Sequence, residues 1–203
     1  EDEYCCGFPL WVLGYRELLA ELVHHNVDGF VAKGVKRLVT SCPCCLDHLT
    51  NRWPELYGAK DFPLEIVHTT QVLVEQIEKG KFKPTKSADV TVTVHDPCYV
   101  ARGTRVHEPP RIVAQSVPGV KLVEMKHNRA LARCCGSGGG IRRAYGELSV
   151  DMAKALIHEA EETGADIMLM DCPACFERLN MAYARMKSSI KLMDLLQFVT
   201  QYL

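Results

Sequence analysis

The segment Gly164-Ala165-Asp166-Ile167-Met168-Leu169-Met170-Asp171-Cys172-Pro173-Ala174-Cys175 predicts a buried strand that delivers two cysteines to the start of a helix. Gly164 stops a preceding helix, and the apolar run that follows has the length of a strand covered on both faces of a parallel sheet. The proline after Cys172 is tolerated in a first helical turn, so a helix is expected from Phe176 to Met186. Open α/β sheets bind their ligands at this carboxyl end of the strands.

An earlier segment repeats this layout. Gly34-Val35-Lys36-Arg37-Leu38-Val39-Thr40-Ser41 precedes Cys42-Pro43-Cys44-Cys45, and a helix is expected after it from Leu46 to Trp53. An amphipathic helix is expected upstream of each of the two strands.

Each Cys-x-x-Cys is also preceded by a cysteine doublet and a glycine, namely Cys5-Cys6-Gly7 in the first half and Cys134-Cys135-Gly136 in the second. The offset is 129 residues from Cys5 to Cys134 and 130 residues from Cys42 to Cys172. Thiols at matched spacing in a duplicated unit indicate two metal-type sites, one in each half.

The alternation of strands and helices predicts an α/β fold. Further strands are expected at residues 65–68, 90–94 and 120–125, and a helix at 71–78 with Thr69 or Thr70 as its N-cap. The Pro- and Lys-containing stretch from Gly80 to Ser87 is expected to link two units, residues 1–83 and 88–203. Each unit is predicted to be a small, mainly parallel sheet flanked by helices.

Composition narrows the class of protein. The chain has 203 residues, 47% of them hydrophobic, which is enough for real cores. Its formal net charge of -1 gives no general attraction to nucleic acid. No apolar run is long enough to span a bilayer, and no signal peptide is visible. Ten cysteines in a chain of this kind favour metal binding over a secreted disulfide scaffold.

A fifth thiol joins the second set. Cys98 follows the strand at 90–94 in the sequence His95-Asp96-Pro97-Cys98, so three separate loops present Cys98, Cys134, Cys135, Cys172 and Cys175. A mononuclear zinc needs only four thiolates, and five with an adjacent pair fit a multi-iron centre better.

The first half has four matching thiols, Cys5, Cys6, Cys42 and Cys45, and no equivalent of Cys98. We expect from this that the chain begins inside its first repeat. The residue that matches Cys44 in the second half is Ala174, so Cys44 is interpreted as a small buried side chain rather than a ligand.

The run Gly136-Ser137-Gly138-Gly139-Gly140 is interpreted as a close-approach loop. Gly136, Gly138 and Gly139 let the backbone come near a cluster and point N–H groups at its sulfurs. A flexible loop and a phosphate-binding loop are the alternatives, and the second lacks the Gly-Lys-Ser/Thr sequence.

In these motifs the chain resembles the cysteine-rich CCG-domain family. This family includes heterodisulfide reductase subunits B and D, related membrane-complex subunits of sulfate reducers, and iron–sulfur subunits of glycolate, lactate and anaerobic glycerol-3-phosphate oxidation. Its pattern is a Cys, a long spacer, Cys-Cys-Gly, a long spacer and Cys-x-x-Cys. The second half matches it completely, and the first half matches all but the leading Cys.

The resemblance implies a non-cubane [4Fe-4S] cluster on the five second-half cysteines, at which a disulfide or related sulfur substrate is reductively cleaved. The first half would hold a second iron–sulfur cluster, a zinc ion or nothing. The implied partners are iron–sulfur or flavin redox subunits, with any membrane attachment made through a membrane complex. Thiolate-bound clusters of low potential suit a reducing cytoplasm.

For the reaction we expect His95 to donate a proton to the leaving thiolate, and His127 is the second candidate for this role. Four arginines near the motifs would attract an anionic substrate: Arg102, Arg105, Arg142 and Arg143. Two other functions stay open, namely an electron-relay subunit without its own substrate and a zinc-stabilised binding module.

Overall fold

The computed structural model of the chain describes residues 2–58 and 60–203. The strands are β1 Arg37–Thr40, β2 Glu65–His68, β3 Val90–His95, β4 Val120–Leu122, β5 Ile167–Met170 and β6 Lys191–Asp194. The helices are α1 Phe8–Leu13, α2 Arg16–Ala32, α3 Pro43–Asn51, α4 Trp53–Tyr57, α5 Thr69–Glu78, α6 Glu108–Gln115, α7 Ile141–Ala144, α8 Gly146–Glu161, α9 Pro173–Tyr183 and α10 Leu195–Thr200. The structure also contains a π-helix, Tyr99–Thr104, and a 3-10 turn, Arg129–Leu131. Within the described residues, no helix combines the length and apolar character needed to cross a membrane.

In the described part of the chain the strands form two separate sheets, and every pairing is parallel. β1 pairs with β2 from Arg37 opposite Glu65 to Thr40 opposite His68. The larger sheet has the order β4-β3-β5-β6, with β3 and β5 at its centre. The predicted α/β class with two small parallel sheets is therefore confirmed. Because the strands are parallel, their carboxyl ends lie at one edge of each sheet.

Strand β5 is buried along its whole length, as its apolar run predicts. Its side chains alternate between two cores: Met168 packs with α8 and α9, and Leu169 packs with α6 and α10. The matching strand β1 differs, because Val39 is 54% exposed. One face of the smaller sheet is thus less covered than the repeat suggested.

The cysteine-bearing helices begin earlier than predicted. α3 starts at Pro43 and α9 at Pro173, and the preceding Cys42 and Cys172 are the N-cap residues. Proline is favoured in a first turn because its missing N–H needs no partner there. Two other predicted bounds differ from the structure: β4 ends at Leu122 instead of residue 125, and α5 begins at Thr69 instead of residue 71.

Helix α5 has an unexpected cap and an unexpected location. The N-cap is His68, whose ring nitrogen accepts from the Thr70 N–H, and neither threonine takes that role. Leu73, Val74 and Ile77 of α5 pack against the core that contains β3 and α6. A helix from the first half therefore covers the larger sheet, and the predicted boundary between residues 83 and 88 stays a prediction.

Candidate metal centre

The two Cys-Cys-Gly turns share one backbone conformation. Gly7 has φ 86° and Gly136 has φ 81°, both in the left-handed region that only glycine enters at little cost. A Cβ at Gly136 would lie 2.6 Å from the carbonyl oxygen of Ser149 in α8, and one at Gly7 would collide with Leu19 in α2. Each glycine therefore lets its doublet rest against the long helix that follows it.

The five thiols of the second half converge at the carboxyl edge of the larger sheet. The Sγ atoms of Cys98 and Cys134 are 4.0 Å apart, and those of Cys135 and Cys175 are 3.1 Å apart. The Cys172 Sγ accepts a hydrogen bond of 3.4 Å from the Cys175 N–H at the start of α9. Gly136 likewise donates its N–H to the Cys134 Sγ at 3.3 Å. All ten cysteines of the chain are free thiols.

These sulfurs are close enough to share protons. The thiols of Cys135 and Cys98 donate hydrogen bonds that lower the pKa of Cys134 to about 2. The pKa of a donor thiol changes in the opposite direction: the hydrogen bond to Cys134 raises the pKa of Cys135 to about 12. Such a set of sulfurs, partly ionised and stabilised by backbone N–H groups, suits a polynuclear thiophilic cation.

His95 closes the inner side of this set. It ends β3 and is fully buried, and its ring lies within 4.8 Å of the Cys135 and Cys175 sulfurs. Neither ring nitrogen has a hydrogen-bond partner among the described residues. Burial is the main reason that the pKa of His95 is lowered to about 4. A neutral, buried imidazole with unpaired nitrogens beside two sulfurs fits a site that binds a further group there.

The four thiols of the first half also come together. The Sγ atoms of Cys6 and Cys45 are 3.2 Å apart. Hydrogen bonds from Cys44 and Cys45 lower the pKa of Cys42 to about 2. The first doublet is held by Trp53, whose Nε1 donates to the Cys6 carbonyl at 2.9 Å. Cys5 is the exposed member of the set.

An open cavity of about 520 Å³ adjoins the second set of thiols. Its wall includes Asp47 of α3, which belongs to the first half, together with the following residues of the second half: Cys98, Tyr99, Arg102, Gly103, Cys134, Gly138, Gly139 and Ile141. Two thiols, one guanidinium, one carboxylate and one phenol thus belong to the residues that line a space large enough for a small organic molecule.

A family model for the cysteine-rich CCG domain matches residues 1–50 and 92–180. The matched ranges contain both cysteine doublets and both Cys-x-x-Cys motifs. This chain belongs to the cysteine-rich CCG domain family.

Individual CCG relatives are similar over much of the chain. The D component of dihydromethanophenazine:CoB--CoM heterodisulfide reductase from Methanosarcina acetivorans is 38% identical over 206 residues, covering 100% of this chain and 50% of the relative. The "Probable iron-sulfur-binding oxidoreductase FadF" of Bacillus subtilis is 34% identical, covering 82% of this chain and 23% of its own length. The EtfAB:quinone oxidoreductase of Syntrophomonas wolfei is also 34% identical, with shares of 68% and 19%. The chain spans about half the length, or less, of these curated relatives.

Of the arginines predicted near the CCG site, Arg102 reaches the cavity. Its Nη1 also donates to the Ala132 carbonyl at 2.7 Å, which fixes the guanidinium in the cavity wall that Cys98 and Cys134 share. Arg142 pairs with Glu177 at 2.6 Å, while Arg105 and Arg143 are exposed and do not line the cavity.

The remaining predicted residues divide between the site and its surroundings. Gly138 and Gly139 line the cavity, and Gly136 donates its N–H to the Cys134 sulfur. His127 does not line the cavity, because its Nδ1 is paired with Glu159 at 3.0 Å. The glycine and histidine roles stay predictions.

Two features of this CCG site were missed by sequence reasoning. Tyr99 directly follows Cys98 and lines the cavity, and burial raises its pKa to about 12, so its phenol stays neutral. His68 and Asp171 meet at 3.6 Å between the Cys42 and Cys172 loops. Burial raises the pKa of Asp171 to about 7 and lowers that of His68. Tyr99 could have been noticed from its position, but only the fold brings His68 and Asp171 together.

Proposed function

We propose that this chain is an iron–sulfur redox subunit that reduces a disulfide, or a related sulfur substrate, in a heterodisulfide-reductase-like complex. The observation that carries the proposal is the convergence of five thiols from three loops beside an open cavity. Cys98, Cys134, Cys135, Cys172 and Cys175 would hold a non-cubane [4Fe-4S] cluster. Five soft donors that converge at one edge of the sheet fit such a group better than they fit a single zinc ion.

The proposed reaction consumes two electrons and two protons for each disulfide, R–S–S–R′, and yields two thiols. When bound, the cluster would supply one-electron steps to the sulfur–sulfur bond, with electrons that arrive from neighbouring clusters. The chain's own residues must then bind the substrate and stabilise the thiolate that departs.

The cavity residues suit these tasks. The Arg102 guanidinium, held by the Ala132 carbonyl, attracts an anionic group on the substrate. The Tyr99 phenol lies beside Cys98 and keeps its proton at neutral pH, so it can donate a hydrogen bond to a departing thiolate. Gly138 and Gly139 leave room for the substrate on the same wall.

His95 acts, in our proposal, through the sulfurs. It is fully buried and does not line the cavity, so any proton or N–H that it donates goes to Cys135 or Cys175. Hydrogen bonds to cluster sulfurs help to set reduction potentials.

The first unit, residues 1–83, is proposed to hold a second centre on Cys5, Cys6, Cys42 and Cys45, with either an iron–sulfur cluster or zinc. The second unit, residues 88–203, would hold the substrate-reducing centre. Iron–sulfur or flavin subunits would donate the electrons, because the matched relatives are named as redox enzymes or their subunits. Ten free thiols suit a reducing, cytoplasmic setting, with any contact to a membrane made through partners.

Metal content tests this proposal directly. We expect the anaerobically purified full chain to contain iron and acid-labile sulfide. Cys135→Ser should lose the iron and sulfide bound by the second unit while its sheet stays folded. Cys5→Ser is the matched control, because it should change only the first-unit share. Zinc without iron or sulfide would overturn the redox proposal and support a zinc-stabilised module.

A second candidate is an electron-relay subunit without a substrate of its own, which is favoured by the similarity to an EtfAB:quinone oxidoreductase. Electron paramagnetic resonance on the one-electron-oxidised protein separates the two functions. A signal that changes when an anionic aliphatic disulfide is added supports substrate reduction. Identical signals with and without the disulfide support relay.

A further inference from the structure

Cys44 is the cysteine to which the repeat assigns no ligand role, because its counterpart in the second unit is Ala174. The structure brings it to a narrow cavity whose wall also contains Cys98, Cys135, Cys172 and Cys175. Four of the five second-unit thiols thus share one space with a single first-unit thiol, and Ala174 lies on the same wall.

The contact between the two units explains this position. Helix α3, which carries Cys44 in its first turn, packs directly on the π-helix that follows Cys98. A Cβ at Gly103 of the π-helix would collide with the Asp47 carboxylate of α3, so the two backbones are in close contact. The Phe8 and Tyr99 rings also meet edge to face, with their centroids 5.1 Å apart. We call this contact surface, formed by α3, the π-helix and these two rings, the seam between the units.

The surroundings of the Cys44 sulfur include both thiol sets. Cys44 is a half-buried free thiol in the first turn of α3, two residues after the N-cap Cys42. It therefore lies between Cys42 of its own unit and the second-unit thiols with which it shares the narrow cavity.

We propose that Cys44 is a sixth thiol donor to the second-unit centre, supplied across the seam by the first unit. The inference rests on the proposed function, because it assumes a metal cluster on the second-unit thiols. It also accounts for the one difference between the two Cys-x-x-Cys motifs. The third position of each motif, Cys44 or Ala174, lies on the same cavity wall, and only the first unit has a thiol there.

Alkylation of the metal-loaded full chain tests the assignment. Iodoacetamide labelling under anaerobic conditions, located by fragment mass spectra, is compared in the wild type, Cys172→Ser and Cys6→Ser. We expect Cys44 to be protected in the wild type, labelled together with Cys98 in Cys172→Ser, and still protected in Cys6→Ser while Cys45 becomes labelled. Labelling of Cys44 together with Cys45 in Cys6→Ser, or labelling of Cys44 in all three proteins, overturns the inference.

A spectroscopic comparison separates a donor from a thiol that is merely covered. Cys44→Ala should shift the iron–thiolate stretching bands or the paramagnetic signal that Cys135→Ser abolishes. Ala174→Ser is the matched control, because it alters the same wall without removing a thiol and should leave those bands in place. If Cys44→Ala leaves the second-unit spectrum unchanged, Cys44 is no donor and the proposed function still stands. If the wild type binds no iron, both proposals fail.

Discussion

Asp96 and Arg111 form a buried, bidentate ion pair in which Nη1 meets Oδ1 and Nη2 meets Oδ2, each at 2.8 Å. The Asp96 Oδ2 also accepts the backbone N–H of Arg129 at 2.6 Å. Arg111 donates further to Glu124 and to the His107 carbonyl. This pair ties the turn that presents Cys98 to the loop that leads to Cys134, so the two thiols at 4.0 Å depend on it.

Replacing Arg111 with Met should destabilise the protein by about 3 kcal/mol, because it leaves the Asp96 carboxylate buried without its partner. The double variant Asp96→Asn/Arg111→Met should recover part of that loss, since no uncompensated charge remains. Urea unfolding of the full chain measures both effects. Arg129→Gln is the control and should cost less than about 1 kcal/mol, because the Arg129 side chain is partly exposed and pairs with Glu108 and Glu124 near the surface. Equal losses for the single and double variants would contradict this account.

Gly136→Ala should cost about 3 kcal/mol and reduce the second-unit iron content. The left-handed backbone penalises a Cβ, and that Cβ would also press on the Ser149 carbonyl oxygen at 2.6 Å. Gly139→Ala has a similar conformation, φ 63°, but open space around it, so it should cost only about 1 kcal/mol. Thermal unfolding and an iron count distinguish the two variants. Equal behaviour would show that the close approach to α8 is unimportant.

Arg102→Gln should raise the KM for an anionic disulfide roughly tenfold, as expected for loss of one charge-assisted hydrogen bond. Reduction of an uncharged disulfide should change little. Arg105→Gln is the control because this arginine is exposed and does not line the cavity. Steady-state rates with the two disulfides provide the measurement. A similar change for both substrates would point to a structural role for Arg102.

The stability of the protein should fall below neutral pH partly because of His48. Its ring is buried, and burial, followed by the charges of Arg52 and Arg16, lowers the pKa of His48 to about 4. The unfolded chain, with an ordinary histidine pKa of about 6.5, binds this proton first, so stability is full above that pH and is lost as the pH falls toward 4.

His48→Leu removes this titrating group from both the folded and the unfolded chain. Between pH 7 and pH 5 the variant should lose about 2 kcal/mol less stability than the wild type. Urea unfolding of both proteins at the two pH values gives the comparison, and effects of acid on the thiol sites are common to both. Parallel pH profiles would show that His48 is protonated to the same extent in the folded and unfolded states.

Much of this fold is readable from local patterns. The apolar run at 167–170 predicts a strand covered on both faces, and β5 is buried throughout because two cores do cover it. The matched doublets and Cys-x-x-Cys motifs predict repeated turns, and Gly7 and Gly136 adopt the same left-handed conformation. Strand length, turn chemistry and helix starts depend on neighbouring residues, which is why sequence patterns record them.

Contacts between distant segments are not predicted by these local patterns. The spacing of Cys44 marks it as an exception to the repeat, yet packing of α3 on the π-helix brings it to the second-unit thiols. Likewise, His127 is bound to Glu159, α5 covers the larger sheet, and His68 meets Asp171. The linear order of residues specifies the groups that each loop can offer. Which of those groups face one another depends on how the helices and the two sheets pack, because the free energy of burial is shared among segments that are far apart in the chain.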